Sequence, residues 1–69
     1  MTPRRRECYD FILEFWEKRR YGPTYHEIAE GVGLLNRAAA RRMVKLLERD
    51  GWVTTTPKSP RSVKPVNLR

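Results

Sequence analysis

The chain has one cysteine, one histidine and no apolar run approaching the roughly 20 residues needed to cross a bilayer. Each scarcity removes a class of function. Cys8 alone makes no intrachain disulfide, and with a single histidine it gives too few ligands for a Cys/His cage, so no metal or redox role is expected. The opening MTPRRRE lacks the hydrophobic stretch of a secretion signal, and the sequence reads as that of a soluble, cytoplasmic protein. At 69 residues there is room for a single domain, 1–69, with a thin core and little space for a deep substrate cavity. A binding module without cofactor or small-molecule substrate, and not an enzyme, is therefore expected.

Acidic residues are scarce in one half only. Residues 1–34 hold six basic and six acidic side chains, whereas residues 35–69 hold nine basic ones against Glu48 and Asp50, so the whole net charge of +7 comes from the second half. Such asymmetry suits a polyanion-binding face, because Lys and Arg that neutralise phosphates release condensed counterions. A basic surface kept for solubility would show the same total.

Thr2-Pro3 opens a first helix over about 3–19, with Thr as N-cap and Pro at the first helical position. Cys8, Phe11, Ile12 and Phe15 recur at i, i+3, i+4, i+7 as its apolar stripe, with Trp16 at the edge, Tyr9 flanking and Leu13 off it. Tyr21-Gly22-Pro23 breaks this helix. Thr24-Tyr25-His26-Glu27 matches a capping box and launches a second helix over about 25–30, which Gly31 and Gly33 are expected to end. Asn36 caps a third helix, about 37–50, terminated by Gly51. On it Ala40, Met43, Val44 and Leu47 share one side, while Arg41, Arg42, Lys45 and Arg49 gather opposite. A basic amphipathic helix can also lie on an anionic membrane, but this one has no aromatic anchor and sits mid-chain, so no membrane partner is expected. Trp52 to Thr56 has strand composition, Pro57 to Arg61 turns the chain, and Ser62-Val63-Lys64 returns as a partner strand that Pro65 keeps short. This hairpin occupies about 52–64.

Helix, short helix, glycine turn, basic helix and hairpin is the order of a winged helix-turn-helix, mainly α with a small β-hairpin. At TPRRRECYDFI and YGPTYHEIAEGVGL, at Leu47-Glu48-Arg49-Asp50-Gly51 with Val53, and at Pro60-Arg61-Ser62-Val63, the sequence resembles the N-terminal DNA-binding domain of the LexA repressors. The resemblance covers about residues 2–66. It implies double-stranded DNA as partner and transcriptional regulation, with repression by occlusion, in a bacterial or phage-encoded, nucleoid-associated protein. Members of the family also carry a self-cleaving domain with the main dimer interface; neither lies in these 69 residues, so cleavage-controlled release is not expected of them alone. The resemblance further implies that base edges are read from Asn36, Ala38, Ala39, Arg41 and Arg42. The best-known members have Asn and acidic residues where Ala38, Arg41 and Arg42 stand here, so the preferred sequence is expected to differ from the usual SOS operator.

In that geometry Arg41 and Arg42 suit the O6/N7 edge of guanine, and Ala38 and Ala39 suit thymine methyls or simple close approach. Thr24, Tyr25, His26, Arg37 and Lys45 are expected on phosphates together with the wing cations Lys58, Arg61 and Lys64. Solvated charge is the bland reading of each cation. Trp52 is expected to close the core beneath the wing, and Cys8 to be a small hydrophobe rather than a nucleophile paired with His26. Tight binding needs two copies on half-sites about one helical turn apart, or a separate dimerising chain. Leu13 and Leu35 fall outside the expected core and suit self-association or a partner. Two other classes fit less of the sequence. One is a small phage or host protein-interaction module that modulates a LexA-like repressor; the other is an RNA binder, for which the third helix lacks interleaved aromatics.

Overall fold

Three short polar side chains start the three helices. The computed structural model describes residues 2–56 and 61–66. Thr2 Oγ1 accepts from the Arg5 N–H at 3.3 Å and opens α1, Pro3–Arg19. Thr24 Oγ1 accepts from the Glu27 N–H at 3.1 Å while Glu27 Oε1 accepts from the Thr24 N–H at 2.8 Å, and this reciprocal pair opens α2, Tyr25–Val32. Asn36 Oδ1 accepts from the Ala39 N–H at 3.0 Å and opens α3, Arg37–Arg49. Helix ends need their own solution: α1 finishes on Arg20 in the left-handed region, φ 63, with its N–H on the Trp16 carbonyl, and α2 finishes on Gly33 at φ 79.

The third helix leads into β1, Val53–Thr54, which pairs antiparallel with β2, Lys64–Pro65, in the register Val53 with Pro65 and Thr54 with Lys64. The ladder is shorter than the strand composition from Trp52 to Thr56 suggests. Pro65 has no N–H to extend it, and Thr55 turns away to donate its hydroxyl to Glu48 Oε2 at 2.7 Å. Alternation still holds along the returning chain, with Val63 and Pro65 buried and Lys64 outward.

Cys8 and Ile12 of α1, Ile28 and Ala29 of α2, Ala40, Val44 and Leu47 of α3, and Val53 and Val63 of the hairpin form one core. Four expectations change here. Leu13, expected off the core, packs against it, and Tyr9 is buried where Phe11 and Phe15 are only half-buried. The reason is a second stripe on α1, Tyr9, Leu13 and Trp16 at i, i+4, i+7, which the hairpin side covers: Trp52 meets the Tyr9 ring edge-on at 5.5 Å, and Trp16 Nε1 donates to the Val63 carbonyl. Trp52 nonetheless keeps 37% of its surface exposed, so it covers the core margin rather than sealing it. Gly31, expected to end α2, lies inside it. A Cβ there would stand 2.1 Å from Phe11 Cε2, so glycine is what lets the Phe11 ring lie against the helix.

Gly22 has the same kind of constraint from the backbone itself. A Cβ at Gly22 would stand 2.5 Å from the Val63 carbonyl oxygen and 2.7 Å from that of Arg61, neither of which can swing away as a side chain can. Gly22→Ala should therefore lower the urea midpoint by the equivalent of about 1–3 kcal/mol. An unchanged midpoint would show that the wing does not pack on the α1–α2 turn as described.

Candidate nucleic-acid interface

The period of α3 divides its side chains by environment. Ala40, Val44 and Leu47 are fully buried, while Arg37, Ala38, Arg41, Arg42 and Lys45 are exposed on the other side. Because α2 packs more extensively on α3 than any other pair of elements packs, its first residue joins this surface. Tyr25, Arg37, Ala38, Arg41, Arg42 and Lys45 line an open groove of about 650 Å³. Among the described residues, four cations and no carboxylate line it.

Their electrostatic setting differs from that of the α1 cations. Arg4 pairs with Glu7 at 3.0 Å, Arg6 with Asp10 at 3.2 Å and Lys18 with Glu14 at 2.7 Å, so positive charge on α1 is largely cancelled where it stands. Each such exposed pair adds little stability. Among the described residues Arg37, Arg41 and Arg42 have no acidic partner within 4 Å, and Lys45 has only Glu48 at 3.7 Å. The field of α3 is thus left open toward a polyanion.

The remaining expected contacts are placed unevenly. Asn36 is exposed at the head of α3, but its side-chain oxygen is committed to the cap, so its amide NH2 is the group left to meet another molecule. Ala39 is half-buried beside Ala38. Thr24 is half-buried and spends its hydroxyl oxygen on the α2 cap, while His26 is exposed with Nε2 on Glu30 Oε1 one turn along. Lys64 is exposed on β2 with its Nζ 5.7 Å from the centre of the Trp16 ring, and it is not among the residues lining the groove. Lys58 lies outside the described residues.

Arg61 is placed differently from the outward wing-tip cation expected. Its Nη1 donates to Glu27 Oε1 at 2.8 Å and to the Gly22 carbonyl at 3.1 Å, its Nη2 reaches Glu27 Oε2 at 3.3 Å, and the guanidinium lies 4.8 Å from the Tyr21 ring centre. A bidentate carboxylate, a carbonyl and an aromatic face outcompete open solvent for one planar fork. Sequence reasoning finds Glu27 as a capping residue and misses this second task, because its partner is 34 positions away and no local pattern links them. The Thr24 backbone N–H, and after it the Arg61 guanidinium, hold the Glu27 carboxyl below the ordinary glutamate range against the opposing effect of partial burial.

Cys8 and His26 do not form a nucleophilic pair. Burial pushes the Cys8 thiol up to about 11, which keeps it protonated at neutral pH, and His26 is an exposed residue engaged with Glu30.

Three helices, a two-stranded antiparallel hairpin and an open cationic face on the third helix together define a winged helix-turn-helix. Comparison with known proteins narrows the class. Residues 1–62 match the family model of the LexA DNA binding domain. The chain is 36% identical over 64 residues to the LexA repressor of Koribacter versatilis, covering 93% of this chain and 30% of that protein. It is 34% identical over 64 residues to the LexA repressor of Frankia alni, covering 93% of this chain and 25% of that protein. With the LexA repressor of Staphylococcus epidermidis it shares 31% over 67 residues, or 97% of this chain and 32% of that protein. The chain belongs to the LexA DNA-binding domain family, and it spans between a quarter and a third of the length of these curated relatives.

The double use of Glu27 has a pH signature. A carboxyl held low in the folded state stabilises the fold above the ordinary value of 4.5, and this contribution is lost as pH falls below it. In urea titrations the advantage of the wild type over Glu27→Gln should be present at pH 7 and shrink between pH ~5 and ~3. A difference independent of pH over that interval would show that the ionised carboxylate is not what ties α2 to the wing.

Proposed function

We propose that the chain is a sequence-specific double-stranded DNA-binding module of a transcriptional repressor, which acts in the cytoplasm on bacterial or phage DNA by occluding an operator. The observation that carries this reading is the groove of Arg37, Ala38, Arg41, Arg42 and Lys45, lined among the described residues by four cations and no carboxylate. Membership of a DNA-binding family supports it, and the names of the relatives support repression.

In this reading α3 lies in the major groove. Arg41 and Arg42 offer planar forks that match guanine O6 and N7, and Ala38, exposed between Arg37 and Arg41, gives the base edges close approach, with Ala39 beside it. Asn36 adds an amide NH2 at the head of the helix. Arg37 and Lys45 flank these residues and, with the start of α2 at Thr24, Tyr25 and His26, meet phosphates that set register. Arg61 serves the same surface indirectly, by holding the returning wing strand against Glu27. Lys64 extends positive charge along the wing. A module of this size makes few contacts alone, so two copies on half-sites about one helical turn apart, or a dimerising partner, supply the remaining affinity.

Selection of bound duplexes from a random DNA library, with affinity then measured at two salt concentrations, tests this directly. An enriched motif with paired half-sites is expected, and its guanines should lose their hold on the protein in Arg41→Ala or Arg42→Ala, at about 1–3 kcal/mol per lost bidentate contact. Lys45→Ala should weaken all duplexes alike and reduce the slope of log affinity against log salt by about 0.9. Binding without a motif would overturn sequence specificity. No binding to any duplex, together with capture of a LexA-like repressor, would favour the protein-modulator reading instead.

A further inference from the structure

We propose that Leu35, in the turn between α2 and α3, reads a thymine methyl group at the edge of each half-site. This rests on the reading of α3 as the major-groove helix. Leu35 is 93% exposed, whereas the other exposed large hydrophobic residues among those described, Tyr21, Trp52 and Val66, retain between 37% and 50%. It contributes almost nothing to the core. Isolated exposed leucines are common on protein surfaces, and what distinguishes this one is where and how it is held.

Both neighbours of Leu35 are pinned. On one side the Gly33 and Leu34 N–H groups both donate to the Ala29 carbonyl, at 3.0 and 2.8 Å, and the Leu34 side chain packs against the core. On the other side Asn36 caps α3 through its side chain, at 3.0 Å to the Ala39 N–H, and through its carbonyl, at 3.3 Å to the Ala40 N–H. Leu35 therefore stands at the leading end of α3 on backbone that is already ordered, so a contact made there costs little further backbone entropy. The leading end of a recognition helix is the part that approaches base edges. Beyond Asn36 come the exposed Arg37 and Ala38, the first residues of the cationic groove.

The chemistry of the side chain limits what it can recognise. Leucine neither donates nor accepts a hydrogen bond, and the one apolar group on a base edge in the major groove is the thymine 5-methyl. Leu35 thus favours thymine over cytosine, and equally over uracil, which keeps every hydrogen-bonding group of thymine and lacks only the methyl.

The test uses the duplex enriched in the library selection, with each thymine replaced singly by uracil. For the wild type, one substitution per half-site should weaken binding about three- to tenfold. Leu35→Ala should bind the thymine and uracil duplexes equally at that position, while Arg41→Ala keeps the full thymine preference there. Because Leu35 is outside the core, its variant should retain the wild-type circular dichroism spectrum and urea midpoint. An undiminished thymine preference in Leu35→Ala overturns the proposal while leaving the placement of α3 intact. So does a change in self-association by that variant without any change in thymine preference, which would mean that Leu35 covers a second copy of the chain. Failure of the underlying reading looks different: no uracil position matters, and the Arg41 and Arg42 variants leave base preference untouched as well.

Discussion

One carboxylate ties the start of α2 to a wing residue 34 positions away. Glu27 closes the capping box that begins α2 and, with the same oxygen, accepts from Arg61 on the returning wing strand. Arg61 in turn holds the Gly22 carbonyl of the α1–α2 turn. The hairpin is also held to the helices by the burial of Val53, Val63 and Pro65 and by the hydrogen bonds from Trp16 Nε1 to the Val63 carbonyl and from the Thr55 hydroxyl to Glu48. The charge-assisted bonds from Arg61 to Glu27 add to that attachment. Gly22 makes the junction sterically possible, since the Val63 and Arg61 carbonyls occupy the space a side chain would take.

The functional surface follows from the same arrangement. Seating α2 on α3 buries Ala40, Val44 and Leu47 and leaves the cationic side of α3 facing out. With Arg61 paired to Glu27 at the surface, α3 rather than the described part of the wing is the main seat of unpaired positive charge. The acids of α1 neutralise their own neighbours within one helical turn, which leaves the charge asymmetry visible in the sequence as a real asymmetry of the surface.

How much of this was legible in the sequence depends on the range of each interaction. The helix starts at Thr2, Thr24 and Asn36 rest on contacts within three residues, and all three were readable. The outward grouping of Arg41, Arg42 and Lys45 follows from the helical period and was equally plain. What escaped depends on distant partners. Tyr9 and Leu13 looked peripheral because the hairpin that covers their side of α1 lies some forty residues away, and Arg61 looked free because Glu27 already had a local task. Gly31 departs from expectation for a related reason: a glycine near a helix end suggests a stop, but here its missing side chain accommodates Phe11 from another helix.

The most direct measurement of the interface is a titration of isotope-labelled protein with a duplex carrying the selected motif, following backbone amide shifts residue by residue. The largest changes should fall on Leu35 to Lys45 and on Thr24 to His26, with Glu7 to Glu17 of α1 nearly silent and Arg61 moving only as far as the wing itself moves. Changes concentrated on α1, with α3 unaffected, would contradict the assignment of the nucleic-acid interface to the cationic groove.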